Sequence, residues 1–269
     1  MDLRPKFREE HVKAIELFLS HHLEESGKRG FVLGMSGGLD SSLVAKLCAE
    51  AVSPAKVLGL MLNEETTYPA DIADVKKWAK SLHMSVEEIN ITQMVNSFRK
   101  GLGLGPKQRA ALGNVKARVR MIVLYNTAAS KDMLVIGTGN KSELLTGYTT
   151  KFGDGGADLM PLGDLYKTQV REMARFLKLP KRIMEKVPTA GLWKGQTDEA
   201  ELGISYDDLD RILLGLELQL DRKDIARKTG FALQKIAKVE RLVTRSIHKR
   251  KLPLIPKLGI RTIGLDWRE

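Results

Sequence analysis

Gly30-Phe-Val-Leu-Gly-Met35-Ser36-Gly37-Gly38-Leu39-Asp40-Ser41-Ser42 is an apolar run that stops at a glycine turn and passes into a helical pattern. Glycines at 37 and 38 allow positive φ and close approach of the main chain, so successive backbone N–H groups can converge on an anion. A helix starting near Asp40 adds its positive dipole end and its unsatisfied first-turn donors at the same place. The spacing G-x-x-x-x-G-K-[ST] is absent and no lysine follows the glycines, so the turn is not a Walker loop. Asp40, set among groups that suit phosphate, fits a magnesium ligand, because two anions need a cation between them. The competing structural reading is a tight strand-to-helix turn with Ser or Asp as its N-cap.

Outward from this turn, short β-rich runs alternate with longer helical patterns, the signature of a parallel sheet with crossover helices. Strands are expected over 30–35, 56–62, 85–91 and 133–138, each short and apolar as befits strands buried on both faces. Helices are expected over 5–25, 41–52, 69–82, 108–130 and 165–177, with several more after Tyr206; Pro69 suits the first helical position. The expected class is α/β, an open, mostly parallel, Rossmann-like sheet with helices on both faces and a C-terminal helical section. It is read as a single domain over 1–269, with an N-terminal helix in 1–29, an α/β core in 30–163 and a mainly helical section in 164–269. The fourth strand runs into Gly137-Thr138-Gly139-Asn140, so two strands end in glycine-containing loops where an open α/β sheet binds its ligands. Residues 99–106 hold three glycines and no periodicity, and are expected to be a mobile linker or a lid. The glycine-dense 151–157 stretch is expected to lack regular structure.

The chain has 269 residues, 43% of them hydrophobic, and 44 Lys and Arg against 33 Asp and Glu give a net charge of +11. That excess attracts an anionic partner, either a polyphosphate substrate or nucleic acid. The basic residues are dispersed, dense only at His248-Lys249-Arg250-Lys251, with no aromatic-interleaved stripe and no zinc-finger spacing, which disfavours nucleic acid. No run reaches the roughly 20 apolar residues of a membrane span, and the first ten residues have no apolar stretch of the kind that starts a secretory signal. A cytoplasmic protein is expected. Cys48 is the only cysteine; it forms no internal disulfide and is read as a small buried residue on the helix after the glycine turn.

Further polar clusters each admit a structural reading. Asn114 and Arg118 share a helix face at i, i+4. Glu143 is either a first-turn acid that suits its helix dipole or a second magnesium ligand facing Asp40. Lys151, Asp154 and Asp158 lie in a loop. Asp164 is expected as an N-cap, with Lys167 in the following first turn, where a cation opposes the dipole and hints at an anionic ligand.

In order along the chain, these motifs resemble those of ammonia-dependent NAD synthetases, members of the N-type ATP pyrophosphatase group. The resemblance runs from Gly34 to about Lys251. It is carried by Ser36-Gly-Gly-Leu-Asp-Ser-Ser42, Asn114-Val-Lys-Ala-Arg118, Gly137-Thr-Gly-Asn-Lys-Ser-Glu143, Thr150-Lys-Phe-Gly-Asp-Gly-Gly-Ala-Asp158 and Pro161-Leu-Gly-Asp-Leu-Tyr-Lys-Thr-Gln169. Val187-Pro-Thr-Ala-Gly-Leu-Trp193, Gly195-Gln-Thr-Asp-Glu199, Glu201-Leu-Gly203 and His248-Lys-Arg250 extend it. The resemblance implies that Gly34, Met35, Ser36, Gly37, Gly38, Leu39, Asp40 and Ser41 hold ATP together with Thr138, Lys167 and Thr189. It implies Mg2+ on Asp40 and Glu143, and the deamidated dinucleotide, deamido-NAD, on Arg118, Lys151, Asp158, His248 and Lys249. The implied catalytic residues are Asp40, Lys167 and, as the candidate for orienting the nicotinate end or taking a proton, Asp158.

The implied reaction is ATP-dependent amidation of nicotinic acid adenine dinucleotide by ammonia through an acyl-adenylate, giving NAD, AMP and pyrophosphate. The glycine-loop amides and Lys167 would receive the pyrophosphate. With no second cysteine to serve a glutaminase, free or delivered ammonia is the expected nitrogen source. The resemblance also implies a homodimer, and neither nucleic acid nor membrane as partner. The alternatives are another N-type ATP pyrophosphatase acting on a nucleotide or tRNA and, more distantly, a basic nucleic-acid-binding module.

Overall fold

The structure, a computed structural model, describes residues 2–65 and 67–263. The ends of the expected 1–29 and 164–269 sections, at residue 1 and residues 264–269, lie outside the described residues. Four strands, β1 (Gly30–Gly34), β2 (Val57–Asn63), β3 (Ser85–Asn90) and β4 (Met133–Ile136), form one sheet in the order β3-β2-β1-β4. All three pairings are parallel, with Phe31 opposite Val57 on one side of β1 and Leu134 on the other. The chain steps outward from β1 to β3 and then returns to the far side of β1. The order therefore reverses between β1 and β4, and a crevice opens at their C-terminal ends.

Helices α1 (Glu10–Ser26), α2 (Leu39–Val52), α3 (Pro69–Ser81), α4 (Thr92–Gly101), α5 (Arg109–Lys131) and α6 (Lys141–Thr146) alternate with the strands. They are followed by α7 (Lys167–Phe176), α8 (Lys181–Met184), α9 (Asp198–Leu202), α10 (Tyr206–Glu217), α11 (Arg222–Thr229) and α12 (Leu233–Arg245). One sheet face packs Phe31 and Leu33 against Leu19 of α1, Leu43 and Leu47 of α2, Val75 of α3 and Met173 of α7. The other packs Val32, Leu60 and Val135 against Val95 of α4 and Val119 and Val123 of α5. A separate core joins Tyr206, Leu209, Ile225, Ile236 and Val239 of the C-terminal helices with Leu3 near the N-terminus.

Several expectations are corrected. The strand over 85–91 was expected to be buried on both faces, yet Ser85, Glu87, Glu88 and Asn90 are exposed, β3 being one of the two edge strands. Residues 92–101 form α4, so 99–101 belong to a helix and only the turn after it is irregular; Val95 is its buried anchor. Residues 5–8 are not helical: the Lys6 carbonyl accepts from Gln169 Nε2 at 2.9 Å and Phe7 N–H donates to Glu172 Oε2 at 3.2 Å, which holds them against α7. Asp164 does not cap α7. Its side chain is exposed and pairs with Lys141 Nζ at 3.0 Å, while the α7 amides at Lys167 and Thr168 donate to Ser142 Oγ and Asp210 Oδ2. Among the described residues, no helix is long and apolar enough to cross a membrane.

Candidate active site

The glycine turn is built as its sequence requires. Gly37 has φ +73, which calls for glycine, and a Cβ there would crowd the Asp71 carbonyl oxygen and Lys186 Nζ at 3.2 Å each. Ser36 Oγ accepts from the Gly38 amide at 3.2 Å and lies 3.1 Å from Ser41 Oγ, which itself donates to the Gly38 carbonyl. Gly38 takes the N-cap position of α2 with no side-chain bond. The Asp40 carboxylate is therefore free of capping duty, and the first-turn amides of α2 have no intrahelical acceptor.

At the end of β4, Asn140 and Glu143 form a reciprocal cap. The Glu143 amide donates to Asn140 Oδ1, and the Asn140 amide donates to Glu143 Oε2, each at 3.1 Å. Buried Asn140 also donates through Nδ2 to Asp40 Oδ2 at 3.3 Å, which ties the β4 turn to the β1 turn. Lys167, in the first turn of α7, places Nζ 2.6 Å from Asp40 Oδ2 and 3.8 Å from Glu143 Oε1. Asp210 fixes the third arm: Ser142 Oγ donates to its Oδ1 at 2.5 Å and the Thr168 amide to its Oδ2 at 2.8 Å, locking the starts of α6 and α7 together.

Burial pushes the Glu143 carboxyl up to about 8 and the Asp40 charge adds to the rise, while Lys167 opposes it. Burial likewise raises Asp198, whose Oδ2 accepts from Tyr206 Oη at 3.1 Å; Lys167 again opposes. Asp40 Oδ1 is buried with no hydrogen-bond partner. Two neighbouring acids, one with an orphaned oxygen and one driven toward protonation, are a donor set that a divalent cation would satisfy. Among the described residues no three His, Cys, Asp or Glu side chains gather as a metal site. Magnesium does not require that, since it takes one or two carboxylates with substrate phosphates and water.

The remaining expected residues fall into three places. Thr138 is half-buried in the turn between β4 and α6. Arg118, exposed on α5, donates from Nη2 to the Lys151 carbonyl at 3.2 Å, Asn114 accepts from Thr150 Oγ1 at 3.0 Å, and Lys249 Nζ donates to the Gly147 and Thr149 carbonyls at 2.7 Å. Arg118, Lys151 and Lys249 are thus gathered on the 147–151 loop, with His248 exposed beside Lys249. Asp158 stands at the edge of β4, its Oδ2 accepting from the Val135 amide at 2.7 Å and its Oδ1 from Tyr125 Oη at 3.0 Å. Thr189 is exposed and accepts from the Gly191 amide.

Asn140, Asp198 and Asp210 went unread as site residues. Asn140 and Asp198 lie inside quoted motifs, whereas nothing in the sequence around Asp210 distinguishes it from a surface acid of a helix. Lys186 was also unread. It lines a cleft of about 400 Å³ together with Leu39, Arg171, Arg175, Pro188 and Glu199, beside the start of α2.

With this geometry in view, residues 11–253 match the model of the family described as NAD synthase. The chain is 49% identical over 247 residues to the NH(3)-dependent NAD(+) synthetase of Thermococcus kodakarensis, covering 91% of this chain and 96% of the relative. It is 44% identical over 253 residues to the enzyme of that name from Pyrococcus horikoshii, covering 94% and 97%. Among solved structures, the NMN synthetase of Francisella tularensis superposes with a TM-score of 0.82 at 34% identity, covering 94% of this chain and all of that one. The NH3-dependent NAD synthetase of Campylobacter jejuni gives 0.79 at 30% identity, covering 96% and 100%.

Proposed function

We propose a reaction from one premise: the chain belongs to the NAD synthase family. It amidates deamido-NAD with ammonia at the expense of ATP, giving NAD, AMP and pyrophosphate. The observation that carries this reading is the junction of Asp40, Glu143 and Lys167 beside the amide-lined turn of residues 36–41. A carboxylate is a poor acyl donor, so its oxygen first attacks the α-phosphorus of ATP, and the resulting acyl-adenylate is opened by ammonia with loss of AMP.

The turn amides, the α2 dipole and the Ser36 and Ser41 hydroxyls bind the phosphates. Asp40 and Glu143 would hold Mg2+, which when bound would supply positive charge to the phosphates. Lys167 is the counter-ion of that acidic pair and supplies positive charge to substrate oxygen at the same place. Thr138 and Thr189 complete the ATP site. Arg118, Lys151, His248 and Lys249 bind the dinucleotide through its phosphates, and Asp158, fixed by Tyr125 and Val135, orients its nicotinate end. Catalysis rests on positioning and charge, with no covalent nucleophile on the protein.

Arg118 and His248 are exposed around the 147–151 loop. This supports a homodimer in which a second copy closes the dinucleotide site. Sedimentation or light scattering at micromolar protein should give twice the chain mass, and a monomer that retains full activity would remove that part of the reading.

Substrate choice is tested by comparing kcat/KM for deamido-NAD with that for nicotinic acid mononucleotide, since the Francisella tularensis neighbour is an NMN synthetase. A strong preference for the dinucleotide supports the assignment. A preference for the mononucleotide transfers it to the smaller substrate.

A further inference from the structure

The glycine turn lacks a lysine in its own sequence, and the fold delivers one from 149 residues downstream. Lys186 Nζ donates to the Gly37 carbonyl at 3.0 Å and pairs with Asp71 Oδ1 at 2.6 Å. It stands over the turn, since it is one of the atoms that a Cβ at Gly37 would meet. Lys167, expected from sequence to serve the pyrophosphate, is instead 3% exposed and engaged by Asp40 and Glu143. The two lysines have different neighbours: Lys167 faces the carboxylates, and Lys186 faces the phosphate-binding backbone.

We propose that Lys186 is a phosphate-binding residue of the reaction, exchanging Asp71 for the β- and γ-phosphates of ATP and then holding the departing pyrophosphate. The assignment rests on the ATP reading given above. Three features of the protein carry it. The Lys186–Asp71 pair is partly solvated, with side chains 28% and 25% exposed, so its exchange costs little. Asp71 sits in the first turn of α3, where the helix dipole stabilises its charge after the lysine leaves. Lys186 also lines the cleft beside Leu39, where Arg171 and Arg175 stand with Glu185 and Glu199, so the lysine borders open space next to the turn.

In the step itself, a substrate carboxylate oxygen bonds to the α-phosphorus and the bond from that phosphorus to the α,β-bridging oxygen breaks. The electron pair leaves with pyrophosphate. Lys186 keeps its proton and contributes charge where charge accumulates on the leaving group.

The test is calorimetric titration of magnesium pyrophosphate into the wild-type protein and the K186M, K186R and D71N variants, with AMP as a control ligand. K186M should weaken pyrophosphate by at least about tenfold, the loss expected of one charge-assisted contact, while AMP binding and Tm stay at wild-type values. K186R should restore most of the affinity, and D71N, which frees the lysine, should bind pyrophosphate at least as tightly as wild type. In turnover, K186M should raise KM for ATP and leave KM for deamido-NAD unchanged. Wild-type pyrophosphate affinity in K186M, or a loss in D71N equal to that in K186M, overturns the assignment of Lys186 alone. Failure of the wild-type protein to bind pyrophosphate overturns both that assignment and the ATP reading of the glycine turn.

Discussion

Lys167 Nζ lies 2.6 Å from Asp40 Oδ2, an ion pair between the first turns of two helices 127 residues apart in sequence. It joins the C-terminal end of β1 to the helical section that follows β4, and it sits where the strand order reverses. The pair is nearly dry, with the lysine side chain 4% and the aspartate side chain 15% exposed. Each charge is therefore costly without the other or a substitute cation.

Replacing Lys167 with Met should accordingly destabilise the metal-free protein by about 3–5 kcal/mol, because Asp40 is left buried without its counter-ion. Added Mg2+ should recover part of the lost Tm. The conservative D40N and E143Q changes should each lower adenylate formation by roughly 100-fold or more, as loss of charge stabilisation at a transferring phosphoryl group does. Full activity in either variant would remove that residue from the metal site.

Glu143 sets a pH dependence of defined sign. Its folded pKa lies above the ordinary value of 4.5, through burial and then the Asp40 charge. Between that value and the raised one, the metal-free folded protein binds a proton that the unfolded chain does not. Stability without metal should therefore fall as pH rises through this window. Mg2+ displaces that proton, so its affinity, and the Tm increase it gives, should grow over the same window. Thermal scans with chelator and with Mg2+ between pH 5 and 8 check both, and E143Q should flatten both slopes.

Cys48 is buried on α2, and burial raises its thiol far above the ordinary range. The native protein should resist iodoacetamide over hours and keep its activity, while the unfolded chain alkylates at once. The C48A variant should retain kcat. Loss of activity in C48A without loss of fold would show a chemical role for the thiol.

Arg250 belongs to the basic knot at 248–251, yet its guanidinium is occupied by backbone carbonyls and the Ser246 hydroxyl. Nη1 donates to the Leu144 and Leu145 carbonyls at 3.2 and 2.8 Å and to Ser246 Oγ at 2.7 Å, and Nη2 donates to the Val243 carbonyl at 3.0 Å. It ties the C-terminal end of α6, the helix that carries Glu143, to the end of α12. R250A should cost about 1–3 kcal/mol for the acceptors left unpaired and should lower kcat more than it changes KM for ATP. R250K should recover little, since one ammonium cannot span two helix ends.

The sheet was legible because the central strands β1 and β2 are apolar along their whole length, and β4, although at the other edge, reads the same way. β3 was placed correctly but misjudged in burial, because Ser85-Val-Glu-Glu-Ile-Asn90 lies at an edge that sequence does not announce. The helix at 92–101 was overlooked although Ile91, Met94, Val95 and Phe98 recur at helical spacing, because the three glycines at 101, 103 and 105 suggested a loop. Asp40, Glu143 and Lys167 could be read because each falls in a motif at a strand end or helix start. Lys186 and Asp210 could not, since their partners Asp71, Gly37, Ser142 and Thr168 are brought to them only by the packing of α3, α6, α7 and α10.

The central claim is that the substrate carboxylate attacks the α-phosphorus of ATP to form an acyl-adenylate. Deamido-NAD carrying 18O in its nicotinate carboxylate, turned over with ATP, Mg2+ and ammonium, tests it in one mass measurement. The account predicts NAD, pyrophosphate and AMP bearing one 18O in its phosphate. Formation of ADP with 18O in inorganic phosphate, or of NAD with unlabelled AMP, would contradict it.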